Sequence, residues 1–190
     1  CHALLCGQLN DEQTERLLSP AAFADWCAAS RCLLRLPDGP ETRHSLAEVL
    51  PHLLTSLASA ADPDRVLVNL ERFAHRAANR LAAFQGLAGN PRAVEILVRL
   101  FAGSQFLSET LLRHPEYFER LLEPRSLAQL QSVGELRAAA RAAIAPLRDV
   151  GEQLDALRRF QKWELLRIGA CDLLGLFDLP VVTAQLSHLA

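Results

Sequence analysis

Asp62-Pro63-Asp64 sets two carboxylates at the spacing that holds Mg²⁺ in phosphoryl-transfer sites. Such a pair works at a strand end beside a glycine-rich turn, and no strand pattern precedes this one. Gly86-Leu87-Ala88-Gly89 is too short, and too tightly flanked by helical patterns, to be a nucleotide loop. A helix start accounts for both acids: Asp62 caps it, Pro63 takes its first position, and Asp64 suits the positive end of the helix dipole. Five cysteines stand at Cys1, Cys6, Cys27, Cys32 and Cys171. The C-x4-C spacing of the first two pairs puts sulfurs about 140° apart on a helix, on different faces. His2 and His44 are the residues that could complete a metal site with them. Small apolar thiols in a reducing compartment explain the cysteines more simply. His75, His114 and His188 have no partner at a zinc-like spacing, and no Ser or Cys sits on a nucleophile elbow. These residues predict no catalytic, cofactor-binding or metal site in the chain.

The less ordinary chemistry lies in "LRRFQKWELLRIGACDLLG", residues 157–175. On a helical wheel Leu157, Phe160, Trp163, Ile168, Cys171 and Leu174 share one broad face. Glu164 and Arg167 fall inside that face, three residues apart, while Arg158, Arg159 and Lys162 lie to the other side. Leu166 lies almost opposite Leu157. An apolar helix face with an embedded ion pair and a basic flank is unusual; a helix whose charges snorkel to solvent is the bland account of it.

The elements that must position this helix follow from punctuation. Leu and Ala supply about a third of the residues, and Ile, Thr and Tyr are scarce, which favours helix. Asn10 caps a helix to about residue 18, and Ser19-Pro20 predicts another over 20–36. "PDGPET" is a loop, followed by a helix over 45–60 that Pro51 kinks or splits. A helix over 63–84 carries Val66, Leu70, Phe73, Ala77, Leu81 and Phe84 as one stripe. Asn90-Pro91 opens a helix to 102, and Ser104 caps the next. His114-Pro115 interrupts, and a short helix follows, closed by Pro124. Helices over 134–145 and 151–174 and one starting at Asp178-Pro180 complete the chain. No segment alternates at period two, and no repeat recurs. The fold class predicted is all-α, an irregular multi-helix bundle of about eight to ten helices with short loops. Phe73, Leu97, Phe101, Phe106, Leu111, Phe118 and Leu122 are its expected core.

The net charge is −2 with mixed signs, so no nucleic-acid partner is implied. No apolar run reaches membrane-spanning length and no leader pattern opens the chain, so a cytoplasmic location and no membrane partner are expected. Both ends read as cut, which predicts a fragment.

The stretch from Leu157 onward resembles the helical segment of bacterial glutamine synthetase adenylyltransferases. The shared features are Leu157 to Phe160, Lys162, Leu166 to Ile168, Asp172-Leu173 and Gly175. "NPRAVEILVRLFAGSQFLSETLLRHPEYFERLLEP" is similar to the same family, and "VLPHLLTSLASAADPDRVLVNLERF" fits the helix pair before it. The resemblance implies residues 45–190 as a helical domain preceding a nucleotidyltransferase head, with 1–44 an unplaced N-terminal helical segment. It further implies a two-headed parent enzyme that uses ATP and Mg²⁺ to attach AMP to glutamine synthetase and to remove it, with the PII signalling protein and glutamine synthetase as partners. The family's catalytic Gly-rich turn and Asp-x-Asp lie downstream, so this chain is expected to be inactive alone. Arg158, Arg159, Lys162, Trp163, Glu164, Leu166 and Arg167 become the candidate contact with the parent's own downstream catalytic domain. Trp163 or Leu166 should then be exposed, in an apolar patch rimmed by the three basic residues. The alternative reading is a stand-alone helical protein-interaction module without enzymatic activity.

Overall fold

A computed structural model describes residues 1–123 and 127–190. Among them are twelve α-helices and no strand: α1 His2–Leu5, α2 Asp11–Leu18, α3 Trp26–Arg35, α4 Pro40–Leu57, α5 Pro63–Arg76, α6 Arg80–Ala88, α7 Pro91–Gly103, α8 Gln105–Arg113, α9 Tyr117–Leu122, α10 Val133–Ile144, α11 Val150–Leu173 and α12 Leu179–Leu189. Pro124, expected to close α9, lies outside the described residues.

The count exceeds ten for two reasons. The α1 turn carries no sequence punctuation, and the helix expected over 63–84 is two. Ala77 is extended after α5, and Asn79 caps α6 by accepting from the Ala82 amide. Ser19-Pro20 opens only a 3-10 turn, because Ala22 turns left-handed at φ 51°; Asp25 then caps α3. Pro40, at the first position of α4, starts that helix inside the expected loop. Pro51 leaves α4 unbroken; it sits on the exposed side, where losing one backbone bond costs least.

The chain forms two compact units, Cys1–Ser108 and Glu109–Ala190. In the first, α4 packs on α6 and α7, α5 on α7, and α3 on α5, with α1 against α3 and α4. Helix α7 is apolar nearly all round and is buried from Ala93 to Ala102 except at Glu95 and Arg99. Its Phe101 meets Phe73 edge to face at 6.2 Å. Phe73 and Leu97 are buried here as expected, but Phe106 is 58% exposed. It lies in the first turn of α8, whose buried residues, among them Leu107 and Leu111, occupy another face.

In the second unit α11 packs against α10 and α12, and α10 also meets α12. Leu111 and Phe118 are buried, while Leu122 is only half-buried. Ser132 and Glu135 form a reciprocal capping box on α10. Asp149 caps α11, and Asp178 caps α12 with Pro180 in its first turn. Gly175, at φ 67°, ends α11: its amide bonds to Asp172 O and that of Leu176 to Cys171 O, the double closure that needs a left-handed residue.

Candidate functional site

Leu127 to Gln131 join α9 to α10 as a largely irregular connector, and their backbone carbonyls need donors from elsewhere. Arg167, on the facing side of α11, supplies them. Its Nη1 donates to Gln129 O at 2.7 Å and to Leu127 O at 3.3 Å, and its Nη2 to Gln185 Oε1 at 3.4 Å. Its Nε donates to Glu164 Oε2 at 2.9 Å, and the two side chains are only 1% and 3% exposed. The carboxylate sits in the core because the guanidinium must be there and a buried charge needs an opposite one. Gln185 of α12 completes the arrangement: its Oε1 accepts from Gln131 N at 3.0 Å and its Nε2 donates to Gln131 O at 2.9 Å. His188 Nδ1 lies 3.0 Å from that same oxygen. Cys171 Sγ reaches Leu127 O at 3.0 Å.

Trp163, the next aromatic along α11, is sandwiched from α9. The Arg120 guanidinium lies over its ring at 3.7 Å, and Tyr117 meets its edge at 5.6 Å. Tyr117 also donates its hydroxyl to Arg159 O at 3.1 Å and stacks on His114 at 4.9 Å. Beside this cluster opens a cleft of about 650 Å³ whose lining includes Ala139, Ala143, Phe160, Trp163, Arg120 and Arg159.

The seven residues singled out on α11 therefore divide. Arg158 and Arg159 are exposed, Arg158 with an ion pair to Asp155 at 2.9 Å, and Lys162 is half-buried. Trp163 is 3% exposed and Leu166 is 0% exposed, so the expected patch built on them is not present. Arg120 and Tyr117 cover the indole, and the helix face opposite Leu157 is covered as well. Glu164 and Arg167 hold the connector inside unit two. They neither mark its outer boundary nor snorkel. Sequence reasoning missed Tyr117, Arg120 and Gln185. The one available signal was Gln185 itself, a long polar side chain in the mostly apolar turn "VVTAQL".

Several other chemistry-bearing residues are engaged in structure. Asp62 Oδ1 accepts from Arg65 N at 2.9 Å as the cap of α5, and Asp64 Oδ2 accepts from Ala24 N at 2.9 Å. Only Cys32 and Cys171 are buried; Cys1 and Cys27 are exposed, and all five are free thiols. Burial, reinforced by Glu71, pushes the Cys32 thiol up to about 12. Burial raises Cys171 to about 11 against the opposing charge of Arg167. Neither is a thiolate near neutral pH. His44 meets Glu48 at 3.6 Å, and His75 Nδ1 lies 2.7 Å from Glu71 O.

Comparison with known proteins places this geometry. The sequence pattern of the family described as glutamate-ammonia ligase adenylyltransferase matches residues 94–190, half of the chain. The chain belongs to this family. A protein of Thioalkalivibrio sulfidiphilus named bifunctional glutamine synthetase adenylyltransferase/adenylyl-removing enzyme is 29% identical over 197 residues, covering 99% of this chain and 20% of that protein. One of the same name from Idiomarina loihiensis is 33% identical over 158 residues, covering 82% of this chain and 17% of its own length. The chain thus spans about a fifth of the length of these curated relatives. The adenylyltransferase-family match takes in all of unit two, including the Arg167 cluster and the Trp163 cleft. The Mg²⁺ that the resemblance implies finds no fitting donor set here. Asp62 and Asp64 each spend a carboxylate oxygen on a backbone amide, and among the described residues no group of three or more His, Cys, Asp or Glu could hold a metal. No helix among them is long and apolar enough to cross a membrane.

Proposed function

We propose that this chain is a non-catalytic helical part of a bifunctional glutamine synthetase adenylyltransferase/deadenylylase of the cytoplasm. Its parent regulates nitrogen assimilation by moving AMP to and from glutamine synthetase. ATP and Mg²⁺ act at a separate nucleotidyltransferase head, and PII is a further partner. One observation carries the reading: in a chain of this family, the paired acids and the buried ion pair are spent on structure. Arg167 and Glu164 hold the connector, Asp62 and Asp64 hold amides, and the buried thiols stay protonated. The interdomain contact then rests on the accessible part of the α11 flank, Arg158, Arg159 and Lys162, while Trp163, Glu164, Leu166 and Arg167 support it from within. The test is AMP incorporation into glutamine synthetase with ATP and Mg²⁺. The chain alone should give none, and the full-length enzyme should lose activity when Arg158, Arg159 and Lys162 are all changed to Ala. Transfer by the chain alone would overturn the non-catalytic role; an unaffected triple variant would remove the contact.

A further inference from the structure

We propose that the outer face of α12 docks an apolar helix from another part of the same parent polypeptide. The inference rests on the reading of this chain as one part of a longer enzyme and goes beyond it in naming the surface. From Leu179 to Ala190 the sequence has no Asp, Glu, Lys or Arg. Yet Leu179 is 75% and Leu186 is 41% exposed, and Thr183 and Ala190 are exposed as well. These four follow one another at i, i+4, i+7 and i+11, the alternation of four and three that lines one side of a helix as a seam. Val182 and Gln185, on the inner side, are buried.

The polar side chains of α12 are bonded inward. Thr183 donates its hydroxyl to Leu179 O and Ser187 to Thr183 O, both at 2.8 Å and both back onto the helix. Gln185 is paired with the Gln131 backbone through both of its amide groups, and His188 Nδ1 lies 3.0 Å from Gln131 O. The other long helices of unit two present a different surface: Arg137 and Arg141 on α10 and Asp155 and Arg158 on α11 are exposed charges. An uncharged exposed stripe has the chemistry of an interface core, from which charged residues are depleted.

The size of the stripe selects the occupant. Helix α12 has 11 residues, so the stripe is about 16 Å long and offers roughly 200 Å², against the ~800 Å² per partner of a stable complex between free proteins. A second copy or a separate partner held by this stripe alone would dissociate. A segment of the same polypeptide is not so limited, because its tether sets an effective concentration on the order of millimolar. There is polypeptide to supply it, since the chain matches only 20% of the Thioalkalivibrio relative's length. A charged occupant would lose hydration here and meet no counter-charge, so the docking face is apolar. The four-three spacing fits a helix lying at about 20° to α12.

The test replaces Leu186 by the photo-cross-linking residue p-benzoylphenylalanine in the full-length parent enzyme. On irradiation it should join a peptide of the same polypeptide outside residues 1–190, in a product that runs at monomer mass and is mapped by mass spectrometry. Leu179→Asp in that protein should cut the cross-link yield about fivefold or more. Where the Asp variant of the full-length enzyme does not fold, Leu179→Ser makes the same comparison. In the 190-residue chain alone, Leu179→Asp changes a position 75% exposed and should move the melting temperature by no more than about 2 °C. A cross-link to a second polypeptide, a cross-link within residues 1–190, no cross-link, or a chain unfolded by Leu179→Asp would each overturn the docking surface. AMP transfer by the chain alone would instead overturn its non-catalytic role and leave the cross-link pattern unaffected.

Discussion

Replacing Arg167 by Met isolates what the buried ion pair contributes. The substitution roughly keeps the length of the apolar stem and deletes the guanidinium. Glu164, 2% exposed, is left as a buried carboxylate without its counter-charge. Gln129 O loses its 2.7 Å donor, and Leu127 O loses one donor while keeping the Cys171 thiol. Breaking a buried pair by removing one partner costs about 3–5 kcal/mol, and an orphaned carbonyl adds roughly 1–3 kcal/mol. These terms overlap, because the connector relaxes once released, so the expected loss is about 4 kcal/mol. Removing the charge of Glu164 as well should return a good part of it: Glu164→Gln/Arg167→Met should be less destabilised than the two single losses summed, by about 1.5 kcal/mol or more. Urea unfolding of the four proteins, followed by circular dichroism with midpoint and slope fitted together, measures the cycle. A loss below about 1 kcal/mol for Arg167→Met, or strict additivity, would refute the assignment of Arg167 as the connector's anchor.

Three further outcomes follow from other parts of the molecule. Leu166→Asp, at a position with 0% exposure, should cost roughly 3 kcal/mol or more; a near-native melting temperature would reopen this face as a surface. Gly175→Ala meets no atom within 4 Å, so its cost is purely that of the left-handed backbone, about 1–2 kcal/mol in thermal unfolding. Iodoacetamide at pH 8 should label Cys1 and Cys27 and spare Cys32 and Cys171 in peptide mass spectra. Because folding raises those two buried thiols above 9.0, their contribution to stability is intact below pH 9.0 and lost on rising to about 11 for Cys171 and about 12 for Cys32, so the melting temperature should fall across that alkaline window.

What could be read from the chain alone was what is decided locally. Asn10, Asp62, Asn90, Ser104 and Asp178 announce helix starts because a cap is a bond to an amide two or three residues away. Asn79 and Asp25 were hidden for an opposite reason: the apolar stripe runs across the break at Ala77, and Ser19-Pro20 offered an equally good start nearby. The i,i+3 spacing of Glu164 and Arg167 predicted their mutual contact, and the structure contains it. Their purpose was out of reach, because Leu127 O, Gln129 O and Gln185 Oε1 lie 40, 38 and 18 residues from Arg167. A helical wheel assigns each direction one neighbour at most. It treated Leu166 and Trp163 as surplus apolar surface, and surplus surface as an interface. Around the 163–171 part of α11 there is no such surplus: α10 and α12 pack on the helix, Arg120 and Tyr117 cover the indole, and the connector is drawn onto the remaining polar notch. A helix enclosed on several sides needs apolar residues in several directions, and its weak amphipathicity was the trace of that enclosure. The two charged residues inside it mark where irregular backbone, instead of another helix, supplies the neighbour.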